Sequence, residues 1–204
     1  NVDYSHMAMI SRLPPNSTYT WLMVWQAARV IEGAEDQKLW ASYSVDARTW
    51  TEGQPLDIPA KAILWSPVLH YDEGSDVRLK EGVDSVVGDA GHAVSLKKRK
   101  PRTILFFTES TVCLRPPDKN ALNIPRYSPG GNIMMVFTYD GATWTEPRKL
   151  YLQSADGKIP KVIANQLLVH PQTGYWVLPF WHERPKQEVC KTSASVLTTA
   201  GVLV

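Results

Sequence analysis

The chain has 204 residues, of which 44% are hydrophobic, and its formal net charge is +2 at pH 7. That length is enough for one substantial core and too short for several domains, and no apolar run approaches the roughly 18 to 20 residues of a membrane span. The near-neutral charge excludes a general affinity for nucleic acid. The basic run 97–102 has no interleaved aromatic residues, so we predict a solvated loop there.

Short apolar and aromatic runs between Gly, Pro and Asp clusters predict an all-β chain, since no segment keeps a helical period over about ten residues. These runs are apolar on both faces more often than they alternate. Such a pattern is typical of strands that lie between neighbouring sheets. We therefore expect the sheets to be stacked.

In chain order the predicted strands fall into three groups. The first, about 5–58, holds "AMISRLP", "TWLMVWQ", "KLWASYS" and a strand around "TEGQPLDIP". The second, about 62–155, holds "ILWSPVLHY", "TILFFTES", "NIMMVFTY" and "TEPRKLYLQ". The third, about 159–204, begins with "VIANQLLVH" and "YWVLPFWHE" and stops in "SVLTTAGVLV". Four strands per group are typical of a β-propeller blade, which predicts about two and a half four-stranded blades of one propeller domain.

Two long-period repeats support this grouping. The stretch 44–56, "SVDARTWTEGQPL", matches 138–150, "TYDGATWTEPRKL", at an offset of 94 residues. A second pair, 65–74 and 165–174, is related at an offset of 100 residues. Self-similarity at such long periods indicates arrays or propellers.

Each copy of the first repeat predicts a turn between the third and fourth strands of a blade. Asp46 and Asp140 are expected to accept hydrogen bonds from the backbone amides of their own turns, and Trp50 and Trp144 to pack each turn onto its sheet. Arg48 stands where a turn glycine is expected in the first copy. We predict a structural role for these turns.

The shared pattern Ser/Thr-x-Asp-x-x-Thr-Trp resembles the Asp-box, or BNR repeat, of the sialidase superfamily, in a form one residue shorter than the common one. The segments "SHMAMISRLP" to "WASYSVD" and "NQLLVHPQTGYWVLPFWHE" are similar to parts of bacterial and plant sialidase-like proteins. The resemblance implies a six-bladed propeller that hydrolyses or binds terminal sialic acid or another acidic sugar at its mouth. Downstream sequence or another chain would supply the rest of the propeller.

Blade topology places 26–37, 108–131, 182–195 and the starts of first strands at the mouth, opposite the Asp boxes. The resemblance implies that Asp36 is the acid/base residue. It also implies that Glu183 is either the partner of a nucleophilic tyrosine or an acceptor for a sugar hydroxyl. The alternative for Asp36 is a solvated loop charge.

Six further mouth-side residues are candidates for substrate binding: His6, Trp25, Gln26, Arg29, His182 and Arg184. The histidines would bond sugar hydroxyls, the tryptophan would offer an apolar platform, and the arginines would bind an anion. Structural packing is the alternative for the histidines and the tryptophan. We expect no metal and no cofactor, since the two cysteines stand in no metal-ligand spacing with histidine.

The chain also departs from the family pattern. The Phe-Arg-Ile-Pro motif, which holds the first of three carboxylate-binding arginines, is absent, and the nucleophilic tyrosine would lie beyond residue 204. Two functions therefore stay open: a glycoside hydrolase, or a catalytically inactive propeller that binds glycans or builds an extracellular assembly.

Two features bear on localisation. The triplet that begins at Asn16 is an acceptor pattern for N-glycosylation. Cys113 and Cys190 fall in equivalent mouth-side loops, where a disulfide and two free thiols are both open. We favour a secreted or extracellular protein.

Overall fold

The computed structural model describes residues 2–60, 62–74, 99–110, 114–115, 126–157, 159–183 and 200–203. Within these ranges the chain forms β-strands, a short 3-10 helix (Gln153–Asp156) and no α-helix. The prediction of an all-β fold is confirmed. None of these residues belongs to a helix with the length and hydropathy needed to cross a bilayer. Three of the sequence candidates, Cys113, Arg184 and Cys190, lie outside the described residues.

The first sheet is antiparallel, and its four strands follow chain order. They are β1 (Tyr4–Arg12), β2 (Trp21–Ala28), β3 (Lys38–Ser44) and β4 (Gln54–Pro55). Burial alternates along most of β2, where Leu22 and Val24 are buried while Trp21, Met23 and Trp25 are partly exposed. One face of this sheet is therefore packed and the other is more open.

The next elements in chain order are β5 (Ile63–Asp72), β6 (Arg102–Ser110), the hairpin strands β7 (Leu114–Arg115) and β8 (Arg126–Tyr127), β9 (Asn132–Thr138) and β10 (Arg148–Tyr151). Strands β5, β6, β9 and β10 form a second four-stranded antiparallel sheet in that order. Every residue of β6 from Thr103 to Ser110 is buried, on both faces. Its run of aliphatic and aromatic residues suits a central, doubly covered strand.

The third sheet is built around one central strand. Its elements are β11 (Lys161–Val162), β12 (Leu168–Val169), β13 (Trp176–His182) and β14 (Ala200–Leu203). Strand β13 pairs antiparallel with each of the other three. The described part of the chain thus holds three four-stranded sheets and the two-stranded pair of β7 and β8.

The second sheet lies between the first and the third. On one face Leu105 and Phe107 belong to a buried cluster with Leu22 and other residues of the first sheet. On the other face Phe106 belongs to a second cluster with Phe180 of the third sheet. Full burial of each such side chain contributes about 1.5–3 kcal/mol. The predicted stacking of sheets is confirmed, whereas ring closure and the six-bladed type stay predictions.

The first strands of the first two sheets share a β-bulge. The register of β1 shifts between His6 and Met9, and that of β5 shifts between Trp65 and Val68. Met7 and Ser66, inside the two bulges, both have a left-handed backbone, with φ of 58° and 54°. Non-glycine residues in that region are strained by about 1–3 kcal/mol, and bulges often redirect side chains near functional sites.

The three sheets align so that their strand ends lie at two opposite sides of the stack. We call each of these sides an edge, in a sense distinct from the outer strand of a sheet. Strands β2, β6 and β13 end at one edge, which we call the mouth edge. Strands β3 and β9 end at the opposite edge, which we call the box edge. Hydrogen bonds tie the first two sheets at both: Thr103 Oγ1 donates to the Arg12 carbonyl at 2.7 Å at the box edge, and Gln37 Nε2 donates to the Leu64 carbonyl at 2.8 Å at the mouth edge.

Candidate functional site

The two Asp-box turns hold their carboxylates by local backbone bonds. Asp140 Oδ1 accepts hydrogen bonds from the amides of Ala142 and Thr143, both at 2.8 Å, and from the Thr138 hydroxyl at 2.9 Å. The amide bonds are the main reason that the pKa of Asp140 falls to about 2. These are the bonds that the turn pattern predicts.

The first box repeats this arrangement with one difference. Asp46 Oδ1 accepts from the amides of Arg48 and Thr49 at 2.8 Å, and these bonds lower the pKa of Asp46. The left-handed residue of the turn is Ala47, with φ of 60°, and its counterpart in the second box is Gly141, with φ of 80°. The prediction that Arg48 takes the glycine position is therefore wrong by one residue.

The tryptophans of the two boxes make different contacts. Trp144 packs against the core cluster between the first two sheets. Trp50 donates its indole N–H to the Ala47 carbonyl at 3.3 Å and so closes its own turn. Both boxes lie at the box edge, and Oδ1 of each aspartate is bonded within its own turn.

At the mouth edge a cluster of four polar side chains joins β1, β2 and the loop after β2. Tyr4 donates its hydroxyl to Glu32 Oε1 at 2.7 Å. Gln26 Nε2 donates to the Tyr4 oxygen at 3.0 Å and to Glu32 Oε1 at 3.3 Å. His6 Nδ1 lies 3.8 Å from the same Glu32 oxygen. We call these four residues the mouth cluster.

Burial and the bond to Glu32 raise the pKa of the Tyr4 phenol above its ordinary value of 10.0. At neutral pH Tyr4 is therefore a protonated donor. His6 and Glu32 are much more accessible, with side chains 63% and 40% exposed. A ligand at this edge would meet His6 and Glu32 before it met the phenol.

Gln26 is the buried member of the mouth cluster and connects it to the second sheet. Its side chain is fully buried, and its Oε1 accepts a hydrogen bond from the Ser66 amide at 2.8 Å. Ser66 sits in the left-handed bulge of β5. Gln26 thus links the mouth cluster to the second sheet and holds Tyr4 and Glu32 in place.

Asp36 and Arg29 form a pair in the same loop. Asp36 Oδ2 accepts from the Arg29 amide at 3.1 Å and from the Arg29 Nε at 3.2 Å. The Arg29 side chain is 77% exposed and that of Asp36 is 35% exposed. Both bonds end on Oδ2, so within the described part of the chain Asp36 Oδ1 accepts no hydrogen bond.

The third sheet brings Glu183 and His182 to the mouth edge. Glu183 Oε2 accepts the indole N–H of Trp181 at 3.0 Å, and the Glu183 amide donates to the Pro160 carbonyl. The His182 ring lies 5.8 Å from the Phe180 ring in an edge-to-face arrangement. Glu183 is thus oriented by its own strand and makes no hydrogen bond to Asp36.

Trp25 lies apart from these groups. It pairs with Trp40 in the register of β2 and β3, on the more open face of the first sheet. A Cβ atom added at Gly53 would come within 2.7 Å of the Trp25 ring, so the indole packs closely on that backbone. This contact fits the packing alternative for Trp25.

The structure joins His6 and Gln26 through Glu32, pairs Arg29 with Asp36 in the loop after β2, and places His182 and Glu183 at the mouth edge in the third sheet. Sequence reasoning missed Tyr4 as a site residue and treated Glu32 only as a neighbour of Asp36. Alternation along β1 offers one signal, since Tyr4 stands two residues before His6 and shares its face.

Comparison with family models and with curated proteins finds no match for the chain. Within the described ranges, no three His, Cys, Asp or Glu side chains lie close enough to bind a metal ion together. The chemistry available at the mouth edge is therefore that of carboxylates, a guanidinium, imidazoles and a phenol.

Proposed function

We propose that this chain forms the first blades of a sialidase-like propeller that hydrolyses terminal acidic sugars at the mouth edge. Two Asp boxes in equivalent turns support the family, and the stacked antiparallel sheets suit a propeller. The more open face of the first sheet also fits this fold, because Ile10 on β1 is 55% exposed. A further four-stranded sheet, from downstream sequence or another chain, would cover it.

The Asp36–Arg29 pair beside the mouth cluster is the observation that carries the proposal. The exposed Arg29 guanidinium offers fork-shaped donors to a sugar carboxylate. Within the described part of the chain Asp36 Oδ1 accepts no hydrogen bond, and in the protonated acid this oxygen would carry the proton that passes to the leaving oxygen. His6 and Glu32 are placed to bond sugar hydroxyls, while Tyr4 and Gln26 orient Glu32.

A second candidate is a propeller that binds acidic glycans without cleaving them. The absence of a Phe-Arg-Ile-Pro motif from the chain favours it, because in the sialidase family that motif holds the first of the three carboxylate-binding arginines. Binding would then use Arg29, His6 and Glu32 as contacts, with Asp36 holding Arg29 in place.

Turnover of aryl sialosides and aryl uronides by the full-length protein, together with the downstream sequence or partner chain that completes the sheets, and by its Asp36→Asn variant tests the proposal. We expect the variant to lose at least about a hundredfold in kcat/KM with an unchanged melting temperature. Glu146→Gln, an exposed carboxylate at the box edge, is the matched control and should stay active. Binding without turnover that Arg29→Ala abolishes would establish the second candidate. Neither binding nor turnover across the panel would overturn both.

A further inference from the structure

Two adjoining cavities follow the segment that links the first two sheets. The larger, about 460 Å³, lies at the mouth edge beside Glu35 and Tyr127. The smaller, about 220 Å³, is lined by residues 55–58 and by Leu64. Lys38, Ala60 and Ala62 line both, so the cavities form one groove, which we call the linker groove. The larger section lies within the range of about 300–1,000 Å³ that small-molecule sites occupy.

Hydrogen bonds fix the walls of the linker groove relative to one another. Gln37 is buried, and its Oε1 accepts from the Gly33 amide at 2.7 Å while its Nε2 donates to the Leu64 carbonyl. The Tyr127 amide donates to the Gly33 carbonyl at 2.8 Å. The loop, β5 and β8 are thus held together before any ligand arrives. A preorganised site saves the free energy of ordering its walls.

The lining of the linker groove suits an uncharged sugar. The described lining includes Glu35, Lys38 and Asp57, all exposed, and these two carboxylates and one ammonium disfavour a second anionic sugar while they offer hydrogen-bonding partners to hydroxyl groups. Ala60, Ala62 and Ile63 form an apolar wall. A pyranose ring presents an apolar C–H face and a rim of hydroxyl groups, and the same division appears in this lining.

We infer that the linker groove is a subsite for a neutral sugar residue of the glycan whose acidic residue binds at Arg29 and Asp36. The inference rests on the proposed function for that pairing. Asp36 lies between Glu35 and Gln37 in sequence, so the groove begins one residue from the proposed acid/base group. A glycan that spans both would place its acidic sugar at Arg29 and Asp36 and its next residue in the groove.

Binding of neutral disaccharides (lactose, cellobiose and maltose) to the whole chain tests the groove separately from catalysis. Saturation-transfer NMR should detect binding of at least one of them to the wild-type protein at about 1–10 mM. Ala62→Trp fills both sections and should abolish that signal. Ala142→Trp places the same ring at an exposed alanine of the box edge and should leave the signal unchanged.

Lys38→Met provides a second measurement that does not depend on Ala62→Trp folding, because Lys38 is exposed and the substitution keeps an apolar side chain of similar length. We expect it to weaken disaccharide affinity about three- to tenfold. Equal binding by Ala62→Trp and Ala142→Trp, or no neutral disaccharide bound by the wild type, would overturn the subsite. Groove binding without turnover or binding of any acidic glycan would keep the neutral-sugar site and remove the proposed function.

Discussion

The two edges of the same sheets hold their carboxylates in opposite ways. At the box edge Asp46 and Asp140 are bonded by amides two and three residues further along the chain. At the mouth edge Glu32 is bonded by the hydroxyl of Tyr4, which is 28 residues away in sequence. The box turns are therefore self-contained, whereas the mouth cluster exists only when strands and loop are assembled.

The distance along the chain between a carboxylate and its hydrogen-bond partners separates a structural turn from a cluster that needs the assembled sheets. A carboxylate that accepts several backbone amides from its own turn, as Asp140 does through Oδ1, has a lowered pKa and holds that turn together. A carboxylate reached by side chains from other strands can share those partners with a ligand. The box turns thus follow from local bonding and the mouth cluster from non-local bonding, while Asp36 and Glu183 accept their bonds from residues seven and two positions away.

The largest expected change in the free energy of unfolding tests whether the mouth edge depends on contacts between the sheets. Gly33 has φ of 78°, and an added Cβ would lie 2.5 Å from the Tyr127 carbonyl oxygen. We expect Gly33→Ala to lower the free energy of unfolding by about 3 kcal/mol, because strain and collision add. Urea denaturation measures the loss.

Gly157→Ala is the matched control for that change. Gly157 has nearly the same φ, 79°, but nothing lies within 4 Å of an added Cβ. Its substitution should cost only about 1 kcal/mol, from backbone strain alone. Equal losses at the two glycines would show that the mouth loop adjusts freely, and the contrast between the edges would fail.

Lowering the pH should have a smaller effect on the stability of the fold, through Asp140 at the box edge. The folded pKa of Asp140, about 2, lies below the ordinary 3.8, so its carboxylate stabilises the fold above about pH 4 and loses that contribution as the pH falls toward about 2. Because the side chain is exposed, solvent screening limits the loss to about 1 kcal/mol. Asp140→Asn removes the titrating group and should flatten this part of the stability curve. An unchanged acid slope in the variant would contradict a local electrostatic role.

The smallest expected changes in stability come from substitutions at the left-handed residue of each box. Ala47→Gly should stabilise the protein by about 0.5–1 kcal/mol, since it relieves a left-handed alanine. Gly141→Ala should act in the opposite direction, because its Cβ would collide with the Ser17 hydroxyl. Thermal melts of the two variants decide the signs, and a destabilised Ala47→Gly would mean that the first turn is not strained.

Much of the fold could be predicted because its signals are local. Apolar runs such as "TILFFTES" indicated doubly buried strands, and β6 is buried on both faces. The error at Arg48 arose because a glycine position was inferred from a shortened repeat, and only the backbone angle identifies Ala47. Tyr4 was missed because its bond to Glu32 spans 28 residues, and its position two residues before His6 indicates a shared face of β1 but not a partner.

The sequence by itself determined the all-β class, the stacked strands and the Asp-box turns, because each depends on residue periodicity or on bonds within a few residues. Only the tertiary structure decided which polar groups meet at the mouth edge. The fully buried Gln26 shows why: its amide connects Tyr4 and Glu32 to the Ser66 bulge, 40 residues away. Such bonds follow from the packing of one sheet on another, and packing brings together residues whose separation along the chain carries no pattern.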